Sequence, residues 1–119
     1  MFEVWLFASG VAVIRPKTML VVADIPATVT ELPNGAGDQQ GSGLPEGAVQ
    51  LRNDGGFAGY VGAAPPAGHG PHRYFFVVHA LDTESIGVPA DASPAFLGFN
   101  IASHILGRAV LTVTAEIPG

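Results

Sequence analysis

A chain of 119 residues has room for one core and not for two, and 48% hydrophobic content against 13% charge excludes a disordered acidic tail. The net charge is −5, and the five basic residues (Arg15, Lys17, Arg52, Arg73, Arg108) are scattered. No stripe is left to neutralise a phosphate backbone, so nucleic acid is not an expected partner. The absence of cysteine excludes disulfides and thiolate-ligated zinc and fits a reducing, cytoplasmic location. Sixteen glycines and ten prolines imply many turns between short strands.

"MFEVWLFASGVAVI" opens the chain with about fourteen apolar residues, too short to span a bilayer as a helix. Glu3 precedes the apolar stretch while Arg15 and Lys17 follow it, the reverse of a signal peptide's charge order. A buried strand pair or an irregular start is expected there. Met19–Ile25, "MLVVADI", reads as an internal strand closed by Pro26. Pro26 to Asp54 is rich in Pro, Gly, Asn and Asp, and predicts a long surface excursion, of the kind that is usually functional or mobile.

Arg52–His72 continues irregularly, with Phe57, Tyr60 and Val61 as expected anchors into the core. Arg73–Leu81 is the clearest strand. Alternation puts Tyr74, Phe76, Val78 and Ala80 on one face, and Phe75, Val77, His79 and Leu81 on the other, as in a central strand. Then come Ser93 as N-cap, Pro94 at the first helical position and Gly107 as a stop, with Leu97, Ile101 and Ile105 at helical spacing beside Phe99, Ala102 and Leu106. These signals predict an amphipathic helix, followed by a strand over Ala109–Ala115. The class is mostly β.

Two of the four histidines fall in "GHGPHRYFFVVHAL". His69 and His72 have a tolerable spacing for zinc, but a catalytic site needs three protein ligands and a structural one four, and His79 and His104 fall in the strand and the helix. No metal or other cofactor is expected. No Cys, no G-x-S-x-G and no phosphate loop is present, and no acid–base pair is identifiable, so no catalytic residue is assigned. If the strand begins at His72, its imidazole lies beside the Tyr74 phenol, with Arg73 pointing the other way. The preceding glycines let backbone amides approach a ligand, and an imidazole, a phenol and amides suit phosphate, sulfate or carboxylate. The alternative is that both side chains satisfy loop carbonyls. Local chemistry leaves the two readings level.

The segments "VVADIPATVTELPNGAG" (Val21–Gly37), "LPEGAVQLRNDGGFAGYVGAAPPAGHGPHRYFFVVHALD" (Leu44–Asp82) and "VPADASPAFLGFNIASHILGRAVLTVT" (Val88–Thr114) resemble, in order, the phosphatidylethanolamine-binding proteins, especially their bacterial Raf-kinase-inhibitor-like branch. The PP-x-G-x-G-x-H-R-Y run from Pro65 to Tyr74 is its most specific part. The resemblance implies a β-sandwich of two antiparallel sheets with peripheral helices and a small anion pocket. Members of the family bind phospholipid head groups, phosphate or acetate there; several modulate kinases or proteases, and most have no established catalytic activity. Matching residue for residue places Pro65, Pro66, Gly68, His72 and Tyr74 in one wall of that pocket. His69 stands where the family varies.

The other wall departs from the family. Its Asp-Pro-Asp-x-Pro motif is absent, and the positions of its His-Trp pair hold Met19 and Leu20. Residues 1–18 match nothing expected, so the chain divides into that segment and an incomplete domain over 19–119, with the family's first strands missing. A truncated or frame-shifted product is favoured over a diverged paralogue or a chain whose partner supplies the missing surface. The function expected is non-catalytic binding of a small anion or phospholipid head group, weakened at the lost wall. The alternative is a protein-interaction, inhibitor-like module acting through the loop over 26–54. A homodimer would hide an uncovered sheet, and no transmembrane segment is expected.

Overall fold

The computed structural model describes residues 1–9, 17–60, 65, 67, 68 and 70–119. Its strands are β1 (Phe2–Ser9), β2 (Lys17–Ile25), β3 (Val49–Gln50), β4 (His72–Leu81) and β5 (Ile105–Ala115), with a single helix among the described residues, α1 (Pro94–Ile101). The strands form one antiparallel sheet in the order β3-β2-β1-β4-β5. The mostly-β class expected from the sequence is what forms. Its sheet pairing within the described residues is that of one five-stranded sheet.

The first segment, unlike the family in sequence, becomes the central strand. β1 pairs with β2 on one side and β4 on the other, with Val4 opposite Val22 and Val78. Period-two alternation sends Glu3 and Trp5 to one face and Leu6 to the other, so one strand serves two cores. On the first face Trp5, Val21, Val77 and Leu81 pack with Leu97 and Ile101 of α1. On the second, Leu6, Leu20, Val22, Ile25 and Tyr74 form the cluster, covered by Val29, Leu32, Leu44 and Tyr60 from the irregular segments.

The long excursion after Pro26 is held down by a chain of turns, with β3 its only strand piece. Asn53 fastens its end. Its amide donates to the carbonyls of Met19 (3.1 Å) and Gly59 (3.3 Å), while its oxygen accepts from the Gly55 amide at 2.8 Å. Gly59 has φ of 99°, and a Cβ there would lie 2.6 Å from the Gln39 backbone, so only glycine lets the two loop segments meet. Of the expected anchors, Tyr60 packs on the core, Phe57 lies exposed against the turn at Gly55, and Val61 is outside the described residues.

α1 starts as its sequence signals require. Ser93 Oγ accepts from the Phe96 amide at 3.1 Å and Pro94 occupies the first turn. The helix is shorter than its apolar spacing predicts, ending at Ile101 instead of near Gly107. His104 closes a turn onto the Ile101 carbonyl (2.8 Å), and Ile105 then pairs with Leu81 as the first residue of β5. Ladder bonding to β4 outweighs one more helical turn there. Leu106, expected beside the buried row, is therefore exposed, and Phe99, inside α1, faces solvent. No helix among the described residues is long and apolar enough to cross a membrane.

Candidate functional site

The strand carrying the histidine and tyrosine begins at His72, so the two residues share a face two positions apart. Both are buried, His72 at 9% and Tyr74 at 4% relative exposure. β5 flanks them in register, His72 opposite Ala115 and Tyr74 opposite Val113, while β1 runs on Tyr74's other side with Ala8 in register. Arg73 faces the opposite side, its guanidinium 5.4 Å above the Phe75 ring. His72 and Tyr74 share one face of the strand and Arg73 lies on the other, as alternation predicts.

The preceding loop reaches the same end of the sheet. Gly68 donates its amide to the Ile117 carbonyl at 2.9 Å, two residues past Ala115, which itself stands opposite His72. That amide is thus committed to the chain. Gly68 has φ of 77°, open to glycine at no steric cost. Pro65 is buried; Pro66 and His69 lie outside the described residues.

Met19 and Leu20 also belong to the Tyr74 side. A register shift against β1, between Leu6 and Phe7, makes a bulge at Met19, and both residues pack with the cluster that contains Tyr74. The family's His-Trp positions therefore present a thioether and an isobutyl group, surfaces without a hydrogen-bond donor. Tyr60 is a participant that sequence reasoning placed only as a core anchor. Burial pushes the Tyr74 phenol above its ordinary range, and the nearby Tyr60 phenol adds to the shift. Tyr74 therefore stays protonated at neutral pH and can donate a hydrogen bond.

A second polar group lies on the other face of the sheet, beside Trp5. Glu3 is fully buried and accepts the Trp5 indole N–H at 2.9 Å. Burial, opposed by that bond and reinforced by Asp24, raises its pKa to about 7. His79 stands opposite Glu3 in register and edge-on to Trp5, at 6.4 Å between ring centroids. Burial, and then Arg108, lower the His79 pKa. Nothing in the local sequence marks Glu3 as buried, because its burial depends on strands that are distant in the chain. His104, expected in the helix, lies past its end and pairs with Asp82 at 2.7 Å on the surface.

An antiparallel sheet with a histidine and a tyrosine at the head of an inner strand, fed by a Pro/Gly loop, defines the class. The sequence matches the phosphatidylethanolamine-binding protein family over residues 15–116, and the chain belongs to that family. It is similar to the UPF0098 protein YbcL of Escherichia coli (49% identity over 96 residues, 81% of this chain and 52% of the relative). The E. coli UPF0098 protein YbhB is similar at 50% identity over 95 residues, covering 77% of this chain and 57% of the relative. The chain thus spans about half the length of these curated relatives.

The crystal structure of E. coli YbcL, described as a new member of the mammalian PEBP family, superposes with a TM-score of 0.89 at 42% identity, over 98% of this chain and 71% of that one. A PEBP homolog from Chlamydia trachomatis, CT736, shares the fold at 24% identity (TM-score 0.78, 97% of this chain and 71% of that one). Coverage of 98% takes in β1, although the family match begins only at residue 15. Residues 2–9 occupy a strand position of the fold without the family's sequence there.

Proposed function

We propose that this chain is a non-catalytic binding domain for a small anion, such as phosphate, acetate or a phosphoethanolamine head group, held at the N-terminal end of β4. The observation that carries the reading is the shared face of His72 and Tyr74, both buried, with the Gly68 loop and the end of β5 closing round the same corner. A protonated phenol and an imidazole offer donors to an oxyanion. Met19 and Leu20 supply none, so binding is weak. The Pro65–Tyr74 run supports the carry-over from the family, whose matching pocket wall holds Pro65, Pro66 and Gly68 beside His72 and Tyr74. The absence of cysteine supports a reducing, cytoplasmic setting.

NMR titration tests it. Phosphate and phosphoethanolamine at millimolar concentration should move the His72 and Tyr74 resonances, and Tyr74→Phe should weaken the response several-fold. Unmoved resonances at both residues would sink the proposal.

A second reading, a protein-interaction module acting through the 26–54 loop, draws support from an apolar groove of about 530 Å³ beneath that loop, lined by Phe2, Val4, Ile25, Val29, Leu32 and Val78. Such a groove suits an apolar anchor residue of a partner. Shortening the loop would abolish that binding while His72→Ala would leave it intact.

A further inference from the structure

We propose that the cleft between α1 and the sheet is a second ligand site, one that takes a small aromatic carboxylate. It lies on the opposite face of the sheet from Tyr74 and does not depend on the anion reading.

The cleft has a volume of about 330 Å³ and is lined by Trp5, Phe7, His79, Ile101, Ile105 and Arg108, together with Gly98 of α1. That is the small end of the range for ligand pockets. One wall is flat and aromatic. Trp5 and Phe7, two positions apart on β1, stack with ring centroids 5.5 Å apart and planes inclined at 23°. Glycine inside a helix costs stability relative to alanine. At Gly98 it leaves open the space beside the indole, where an added Cβ would stand 3.8 Å from Trp5 Cη2 and meet nothing closer. A planar ring packs on such a wall by offset stacking, and Ile101 and Ile105 add apolar contact.

The polar groups select what the ring must carry. The Trp5 N–H is already donated to Glu3, at 2.9 Å. That leaves His79 and Arg108, which stand opposite each other in register on β4 and β5. His79 is 7% exposed, and its Nδ1 is buried without a hydrogen-bond partner. Such an atom has lost its water and gained nothing, a deficit that a bound ligand can repair. Arg108 has no ion-pair partner among the described residues, and its guanidinium presents paired donors that match a carboxylate. No acidic side chain among the described residues lines the cleft, so nothing there attracts a cation. A neutral ring would leave Arg108 unused. A carboxylate on a planar apolar body engages both the aromatic wall and the basic pair.

Trp5 is the only tryptophan in the chain, so its emission reports on this cleft. Titrating the whole chain with benzoate should give a saturable change in Trp5 fluorescence. Benzamide, which lacks the charge, and acetate, which lacks the ring, should each bind about tenfold more weakly or worse. Arg108→Gln should weaken benzoate binding about tenfold and leave benzamide unaffected. Gly98→Leu should abolish the benzoate response by filling the space beside Trp5, whereas Tyr74→Phe should leave that response intact. Arg108 is exposed, so Arg108→Gln still decides the matter if circular dichroism shows Gly98→Leu to be unfolded. No saturable change with benzoate, equal affinity for benzamide, or a response lost in Tyr74→Phe but kept in Arg108→Gln would overturn the proposal.

Discussion

Glu3 on β1 stands directly opposite His79 on β4, on the face covered by α1, and both side chains are buried. Glu3 receives one hydrogen bond, from Trp5, and its pKa is raised to about 7. A carboxylic acid in that position is largely protonated below neutrality and ionises at a cost above it.

Stability should therefore fall as pH rises from the ordinary glutamate value of 4.5 to about 7. In that window the folded chain holds a proton that the unfolded chain has lost. Below it the penalty is absent, and above it the penalty is complete, at most about 3 kcal/mol. Glu3→Gln keeps an acceptor for Trp5 but cannot ionise. Urea unfolding at pH 8 should show the variant more stable than wild type, and the gain should vanish by pH 4. His79 works in the opposite sense: its lowered pKa means stability is lost as pH falls through the usual histidine range.

Leu97 and Phe99 sit on the same short helix with opposite surroundings, fully buried and 82% exposed. Leu97→Ala should cost about 2–5 kcal/mol, the usual range for an internal cavity. Phe99→Ala should change stability by no more than about 0.5 kcal/mol. Thermal unfolding of the two variants checks the helix's orientation directly.

Gly59→Ala should disrupt the junction between the two loop segments, because the added methyl meets the Gln39 backbone and the φ of 99° is strained for alanine. A loss of about 1–3 kcal/mol is expected. Amide exchange should rise at Tyr60, whose N–H donates to the Gly37 carbonyl at 2.7 Å.

The Asp82–His104 contact at 2.7 Å is on the surface. Asp82→Asn should change unfolding free energy by less than about 1 kcal/mol, and any change should shrink in high salt.

What could be read from residues alone was local. Ser93 and Pro94 start a helix wherever the chain is free to form one, and period-two alternation placed His72 and Tyr74 on one face of their strand. The Pro65–Tyr74 run identified the family before any pairing was known. Each of these depends on neighbours a few positions away, which the order of residues specifies.

The remaining features depended on partners far along the chain. Ile105 and Leu106 carry helical spacing, yet the ladder to β4 draws them into β5. "FEVWLFAS" matches no family motif, and becomes the central strand because β2 and β4 both need a partner between them. Glu3 reads as a charged residue near a terminus, and its burial is set by its pairing opposite His79, about 75 residues away. Hydrogen-bond ladders and buried area are shared between distant segments, so they decide where a local preference ends and which polar groups leave water.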